Sequence, residues 1–220
     1  MKKLLLTGFE PFLDFTLNPT MKVVEELDNT IIGDYQVIGR ILPVDFNKSG
    51  RMILDLIEEI KPEAVVSLGL AAGRFKMTPE RIAINFKDGP ADNEGNQPVD
   101  EAVQIEGAAG YLSTLPIRKM VSRMMEEGLP AEISNSAGAY LCNNVMYEAI
   151  HYAHIHNKDM PSGFLHMPAS HELAIEHGNL PSWPHRDLVK GVRICLEVLV
   201  SEESSKANEE NVVSQKITHQ

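Results

Sequence analysis

Short, unbroken apolar runs alternate along this chain with longer stretches in which apolar residues recur every three or four positions. Residues 4–7 form the first run and stop at Gly8; 37–44, 64–69 and 163–167 form others. Runs of this length, without polar alternation, predict strands buried on both faces. Between them, 21–27 follows Asn18-Pro19-Thr20, a helix-start pattern. Met52, Ile53, Leu56, Ile57 and Ile60 keep helical spacing up to Pro62. Residues 117–127 predict a helix closed by Gly128. Residues 140–156 predict a strong one, with Leu141, Val145, Met146, Ala149, Ile150 and Ala153 apolar, and 188–200 a closing helix. Residues 81–86 alternate as a strand does, and 131–134 are short and strand-like. Alternation of strand and helix predicts an α/β sandwich with a mostly parallel central sheet.

Two segments break the pattern. Residues 87–110 hold many Gly, Asp, Asn and Pro with little periodicity and predict a long loop, a kind of segment that often carries function. Residues 201–220 turn polar and poor in aromatics, which predicts a frayed or disordered tail. No Gly/Ser/Pro-rich linker divides 1–200, so one domain is expected there.

Composition narrows the function classes. With 220 residues, 43% of them hydrophobic, the chain can bury a sizeable core without disulfides or structural metal. A net charge of −11 disfavours nucleic acid, whose phosphates it would repel, and anionic membrane surfaces equally. The opening Met1-Lys2-Lys3-Leu4-Leu5-Leu6 starts like a signal peptide. Its apolar stretch ends at Thr7-Gly8 and meets Glu10, which is too short for one. No run approaches a membrane span. A cytoplasmic protein with reduced thiols is expected.

Cys142 is one of two cysteines, the other being Cys195. Ser134-Asn135-Ser136-Ala137-Gly138 separates a short strand from the strong helix, so Cys142 falls near that helix's first turn. The positive end of a helix favours a thiolate, and first-turn N–H groups are free to bind an oxyanion. On position alone, a small buried hydrophobe in phase with Met146 and Ala149 fits as well. His166 ends a core strand, where ligand sites of open α/β sheets gather and where a histidine can exchange protons with a thiol; a core histidine satisfied by one hydrogen bond is the alternative. Glu80, after Thr78-Pro79, could orient an imidazole, yet nothing in the pattern selects it among thirty-one acidic residues. Ser136 lacks the glycines of a nucleophile elbow, and no dinucleotide or phosphate loop occurs. His151, His154 and His156 have spacing that puts only the first two on one face, which predicts a solvated helix surface rather than a metal site.

Together these segments resemble the pyroglutamyl peptidase I family. The likeness rests on Thr7-Gly8-Phe9-Glu10-Pro11-Phe12 with Asn18-Pro19-Thr20, on Gly69-Leu70-Ala71, and on Thr78-Pro79-Glu80-Arg81-Ile82-Ala83-Ile84-Asn85. It continues through Asp92-Asn93-Glu94-Gly95, the stretch from Ser134 to Asn143 around Cys142, and Gly163-Phe164-Leu165-His166-Met167-Pro168. The resemblance implies an α/β/α fold with a Cys142–His166–Glu80 triad. It implies removal of an N-terminal pyroglutamyl residue from peptides by a cysteine peptidase needing no cofactor or metal. It also implies a cytosolic homotetramer. By the same likeness Phe9 and Phe12 line the pyrrolidone pocket, Leu70 lies near the ring and Asn18 braces the phenylalanine loop.

The chain departs from the family pattern in places. Leu13-Asp14 stands where glycines are usual, which predicts a stiffer loop. Phe75-Lys76-Met77 is unusual before Thr78. The stretch Asp88-Gly89-Pro90-Ala91-Asp92-Asn93 is one residue shorter than in relatives and lacks their arginine. Arg74 or Lys87 could supply a replacement cation, but the helix-start N–H groups are expected to suffice. The rival readings are a pyroglutamyl-binding relative that no longer cuts, and a phosphorylase-like enzyme using Arg40, Arg74 and Arg81.

Overall fold

The computed structural model describes residues 1–217, with side-chain surroundings through 206. In chain order the elements are β1 (Lys2–Phe9), α1 (Pro19–Leu27), β2 (Ile31–Ile32), β3 (Tyr35–Leu42), α2 (Ser49–Ile60), β4 (Ala64–Leu70), β5 (Thr78–Pro79), β6 (Ile82–Ile84) and β7 (Gly110–Leu112). They continue with α3 (Ile117–Glu126), α4 (Leu141–Ile155), β8 (Ser162–Met167), β9 (Ala169–Ser170), α5 (His171–His177), β10 (Ser182–Trp183) and α6 (His185–Ile217). The central sheet has six strands in the order β2-β3-β1-β4-β8-β5. The inner pairings of β3, β1, β4 and β8 are parallel, and only the edge strands β2 and β5 run antiparallel.

Alternation along each strand sends neighbouring side chains to opposite faces. Leu4 and Leu6 pack with Val66 and Leu68 against Val23, Met120, Val192 and Leu196 from α1, α3 and α6. Leu5, Val65 and Phe164 face Ile53, Ile57, Val145 and Tyr147 from α2 and α4. The result is a three-layer α/β/α sandwich, as the alternation of elements predicts.

Strand order reverses beside β1, since the chain moves from β1 to β3 and then crosses to β4 on the other side. Sites in open α/β sheets gather at the carboxyl ends of strands near such a reversal. Phe9, Leu70 and His166 all lie at or near those ends, on β1, β4 and β8.

Three expectations shift. The strand expected at 81–86 shortens to Ile82–Ile84 and pairs with β7 in a separate ribbon, while Thr78–Pro79, not expected as a strand, joins the edge of the main sheet. Residues 131–134 form only single bridges, Met77 to Ala131 and Glu80 to Ser134. The closing helix runs on to Ile217, through the polar segment expected to fray. Ser204 Oγ donates to the Val200 carbonyl at 2.9 Å, and Lys206 pairs with Glu203 at 2.7 Å, so local bonds along the polar face support the helix. Residues 218–220 lie outside the described residues. Among those described, no helix is long and apolar enough to cross a membrane.

Candidate active site

The site begins with how β5 meets β8. Thr78 stands opposite His166 and Pro79 opposite Leu165, and the Glu80 N–H donates to the Phe164 carbonyl at 2.9 Å. This places Glu80 beneath the imidazole. His166 Nδ1 and Glu80 Oε1 are 2.7 Å apart, and the Glu80 side chain is wholly buried. His166 itself is 6% exposed.

Cys142 is the second residue of α4, with Tyr140 at the N-cap. Its thiol lies close enough to the His166 ring to act on the charge of the imidazole. Burial disfavours the charged imidazolium and is the largest single influence on it. The negative charge and hydrogen bond of Cys142, joined by those of Glu80, outweigh burial and raise His166 to about 9. Burial likewise pushes the Glu80 carboxyl up, but the His166 hydrogen bond and charge, with contributions from Ser134 and Arg74, hold it below the ordinary carboxylate range. Cys142, His166 and Glu80 therefore form one contiguous, charge-coupled row.

The position of Cys142 is fixed from two sides. Asn143, fully buried, accepts from the Ile84 N–H at 2.9 Å and donates to the carbonyls of Ile84 (2.8 Å) and Phe86 (2.9 Å). One carboxamide thus ties the start of α4 to the segment just after Glu80. On the other side Gly69, next to the end of β4, has no side chain to obstruct the sulfur.

Beside the sulfur lies a small, half-open cavity lined by Phe9, Phe12, Asn18, Val44, Leu70, Tyr140, Leu141 and Cys142. Asn18 caps α1, accepting from the Thr20 N–H at 3.1 Å, and donates to the Glu10 carbonyl at 3.1 Å. It thereby holds the turn between the two phenylalanines. Asn93 Nδ2 donates to the Pro11 carbonyl at 2.8 Å, which ties the 92–96 turn to the same loop. That turn is organised by Asp92, whose carboxylate accepts from the N–H groups of Phe46, Glu94 and Asn96. Leu13 adopts φ +53, the left-handed conformation that favours glycine.

Tyr140 and Val44 are wall residues that the sequence reading does not select. The Tyr140 ring lies 6.5 Å from that of Phe12 and edge-on to that of Phe46 at 5.1 Å. Its hydroxyl donates to the Ala91 carbonyl at 3.3 Å. Burial, with the nearby charges of Asp92 and Cys142, pushes that hydroxyl up to about 12, so it stays a neutral donor. Gly89, in the 87–91 loop, has φ +148, and a Cβ there would meet the Tyr140 ring at 2.8 Å. The 87–91 loop is thus packed on Tyr140.

The cations considered for other roles are engaged elsewhere. Arg40 donates to the Gly39 carbonyl, Arg81 to Asn135, Arg74 to Glu80, and Lys87 pairs with Glu101 at 3.3 Å. They do not converge on a phosphate-sized site. Among the histidines of α4, His151 lies 3.0 Å from the Tyr111 hydroxyl and stacks on Tyr147, whereas His154 and His156 are exposed. No group of three or more His, Cys, Asp or Glu among the described residues is placed to hold a metal ion.

Known proteins similar to this chain in sequence and in fold share one description. The sequence model described as pyroglutamyl peptidase matches residues 2–202. A pyrrolidone-carboxylate peptidase of Lysinibacillus sphaericus is 60% identical over 200 residues, covering 91% of this chain and 98% of that protein. One of Oceanobacillus iheyensis is 50% identical over 199 residues, covering 90% of this chain and all of its own. The solved pyrrolidone carboxyl peptidase of Thermococcus litoralis superposes with a TM-score of 0.90 at 36% identity, covering 94% of this chain and 96% of that one. A mutant form from Pyrococcus furiosus superposes at 0.88 with 41% identity, covering 91% and 99%. With nearly its whole length matched in sequence and in fold, the chain belongs to the pyroglutamyl peptidase family.

Proposed function

We propose that this protein is a cysteine peptidase that hydrolyses the N-terminal pyroglutamyl residue from peptides. The observation that carries the reading is a buried Glu80–His166 pair facing Cys142, at the rim of a small aromatic cavity. The pyroglutamyl ring is flat, small and uncharged, which suits the faces of Phe9, Phe12 and Tyr140 beside Leu70 and Val44. An ordinary N-terminus would bring an ammonium into the same space, at a desolvation cost of several kcal/mol.

The chemistry is acyl transfer. The Cys142 thiolate attacks the pyroglutamyl carbonyl carbon, and the carbonyl π electrons move onto oxygen. First-turn N–H groups of α4, which lack intrahelical acceptors, receive that oxyanion. Collapse of the adduct breaks the C–N bond, and His166 gives its proton to the departing amine. Neutral His166 then takes a proton from water, whose oxygen attacks the thioester. The pyroglutamate leaves and the thiolate–imidazolium pair is restored. Glu80 holds the ring's Nδ1–H throughout. No step calls on a cofactor.

We place the enzyme in the cytoplasm. Both cysteines are free, and Cys195 is buried far along the chain from Cys142, consistent with reduced thiols. The homotetramer implied by the family resemblance would have exposed apolar side chains such as Leu112 and Ile155 to cover. Sedimentation of the purified protein decides the assembly.

The deciding assay is hydrolysis of a chromogenic pyroglutamyl amide. Cleavage is expected, abolished by a thiol alkylator and unaffected by a chelator, with the matching prolyl amide left intact. A protein that binds the amide without cutting it refutes the reading.

A further inference from the structure

Glu80 has a second strong partner that the triad does not include. Arg74 Nη1 lies 2.7 Å from the same oxygen, Oε1, that accepts from His166, and 2.5 Å from the Thr78 hydroxyl. The other carboxylate oxygen, Oε2, is buried without a hydrogen-bond partner. The Ser134 hydroxyl lies beside the carboxylate but donates to the Ser136 carbonyl at 3.2 Å. A buried carboxylate with one oxygen unpartnered has little else to fix its orientation or to balance its charge. Arg74 comes from the turn between β4 and β5, where its own N–H donates to the Ala71 carbonyl at 2.8 Å. Its side chain is 35% exposed, so the guanidinium keeps part of its hydration while reaching a wholly buried partner.

We propose that Arg74 is a positioning residue for catalysis, holding the Glu80 carboxylate ionised and in register beneath His166 when the imidazole is neutral. The inference rests on the triad reading above and extends it to a stage of turnover. While His166 is protonated, it supplies Glu80 with both a hydrogen bond and a compensating charge. Once His166 has given its proton to the leaving amine, that charge is gone and burial works against the carboxylate. Arg74 is then the cation in contact with it. Deacylation depends on this moment, because neutral His166 must present its unprotonated nitrogen to water and its Nδ1–H to an ionised Glu80. If Glu80 took up a proton, the hydrogen bond would reverse and the ring would be held in the wrong tautomer. The sequence expectation that Arg74 is dispensable concerned direct oxyanion binding. Its contact with Glu80 gives it a different part, exerted through the histidine.

Arg74→Gln keeps a polar side chain in the turn without the charge, and Arg74→Lys keeps the charge without the forked donor. Each is compared with the parent enzyme by steady-state and stopped-flow hydrolysis of a chromogenic pyroglutamyl amide, with competent sites counted by thiol titration. Arg74→Gln is expected to lower kcat tenfold or more per titrated site with KM changed less than threefold. A burst of chromophore is expected before the steady state, because the acyl-enzyme accumulates. The acid limb of kcat/KM is expected to move to higher pH, since Glu80 loses the cation that keeps it ionised. Arg74→Lys is expected to restore the acid limb and much of the rate. A purely structural role would lower thermal stability or the fraction of competent sites while leaving per-site kcat and the pH profile as in the parent; that result overturns the inference. The triad reading stands or falls separately: Glu80→Ala with full activity removes that reading, whereas an impaired Glu80→Ala beside an unaltered Arg74→Gln removes only this one.

Discussion

A Cβ on Gly69 would stand 2.9 Å from the sulfur of Cys142 and 2.6 Å from the ring of Phe164. The end of β4 is therefore a gap into which the proposed nucleophile fits, and a methyl group there must displace one neighbour or the other. Gly69→Ala is expected to cost roughly 1–3 kcal/mol of stability by overpacking. Displacement of the sulfur by about an ångström is expected to lower kcat roughly a hundredfold. Thermal unfolding and steady-state kinetics of the one variant test both, and full activity at unchanged stability contradicts the packing argument.

The two cysteines should respond oppositely to substitution. Cys142→Ala is expected to reduce amide hydrolysis by a factor on the order of 10⁴ or more, with the circular dichroism spectrum unchanged. Cys195 is wholly buried on α6, its sulfur 3.7 Å from that of Met124, and burial pushes its thiol far up. A thiol so placed does not form the thiolate an alkylator needs. One equivalent of iodoacetamide should therefore inactivate the enzyme with label on Cys142 alone, and Cys195→Ala should stay active. Mass spectrometry of the labelled peptides reads the site.

The pH profile follows from the coupling of His166 to its two anionic neighbours. Protonated imidazole is needed to expel the amine. With His166 raised to about 9, the rate should hold through neutrality and fall as pH rises through that value. Glu80→Gln removes one of the charges that raise the histidine, so the alkaline limb should move to lower pH. Weak activity should persist, because an amide oxygen can still accept from Nδ1–H. An alkaline limb at the same pH in both proteins would falsify the coupling.

Phe12 and Tyr140 are partly exposed wall residues, so their truncation acts on the pocket more than on the core. Phe12→Ala and Tyr140→Ala are each expected to weaken substrate binding by on the order of 1 kcal/mol for the lost aromatic face. Tyr140→Phe keeps the ring and loses only the bond to the Ala91 carbonyl. It should bind substrate nearly as the parent does while loosening the 87–91 loop, which limited proteolysis detects. Phe9 is 3% exposed, and Phe9→Ala should additionally destabilise the fold by about 3–5 kcal/mol.

The parts of this molecule legible in the sequence are those where one physical signal dominates. Residues 64–70 are apolar almost throughout and form an inner strand buried along its length. Asn18-Pro19-Thr20 spells out a helix start, and Asn18 does cap α1. His166 stands out because a titratable group ends a core strand. Glu80 does not stand out by any physical pattern, and only the family likeness picks it from the other acids. The reason lies in β5: two residues, Thr78 and Pro79, set the whole alignment of Glu80 with His166, and a two-residue strand has no periodicity to read. Arg74 is hidden for the same reason, since its contact with Glu80 exists only after that strand has paired. Tyr140 reads as one more apolar residue of a helix start, because whether an aromatic ring faces the core or a cavity depends on neighbours distant in sequence. The polar run after Ser201 carries helix although it lacks apolar periodicity, a case in which local bonding and apolar periodicity give different answers.

The pocket wall is drawn from four separate stretches of chain: Phe9 and Phe12, Val44, Leu70, and Tyr140 with Leu141. No one of these stretches is a binding site by itself, and the unfolded chain has none. A ligand that fills the cavity therefore engages the native state alone, and mass action converts its affinity into folding free energy. At a hundred times its Kd, such a ligand adds about 2.7 kcal/mol to the stability of the whole protein. The product, pyroglutamate, carries the ring proposed to lie against this wall. An enzyme working in a pool of its own product would thus be harder to unfold than the same enzyme in buffer, and its lifetime would be tied to its traffic.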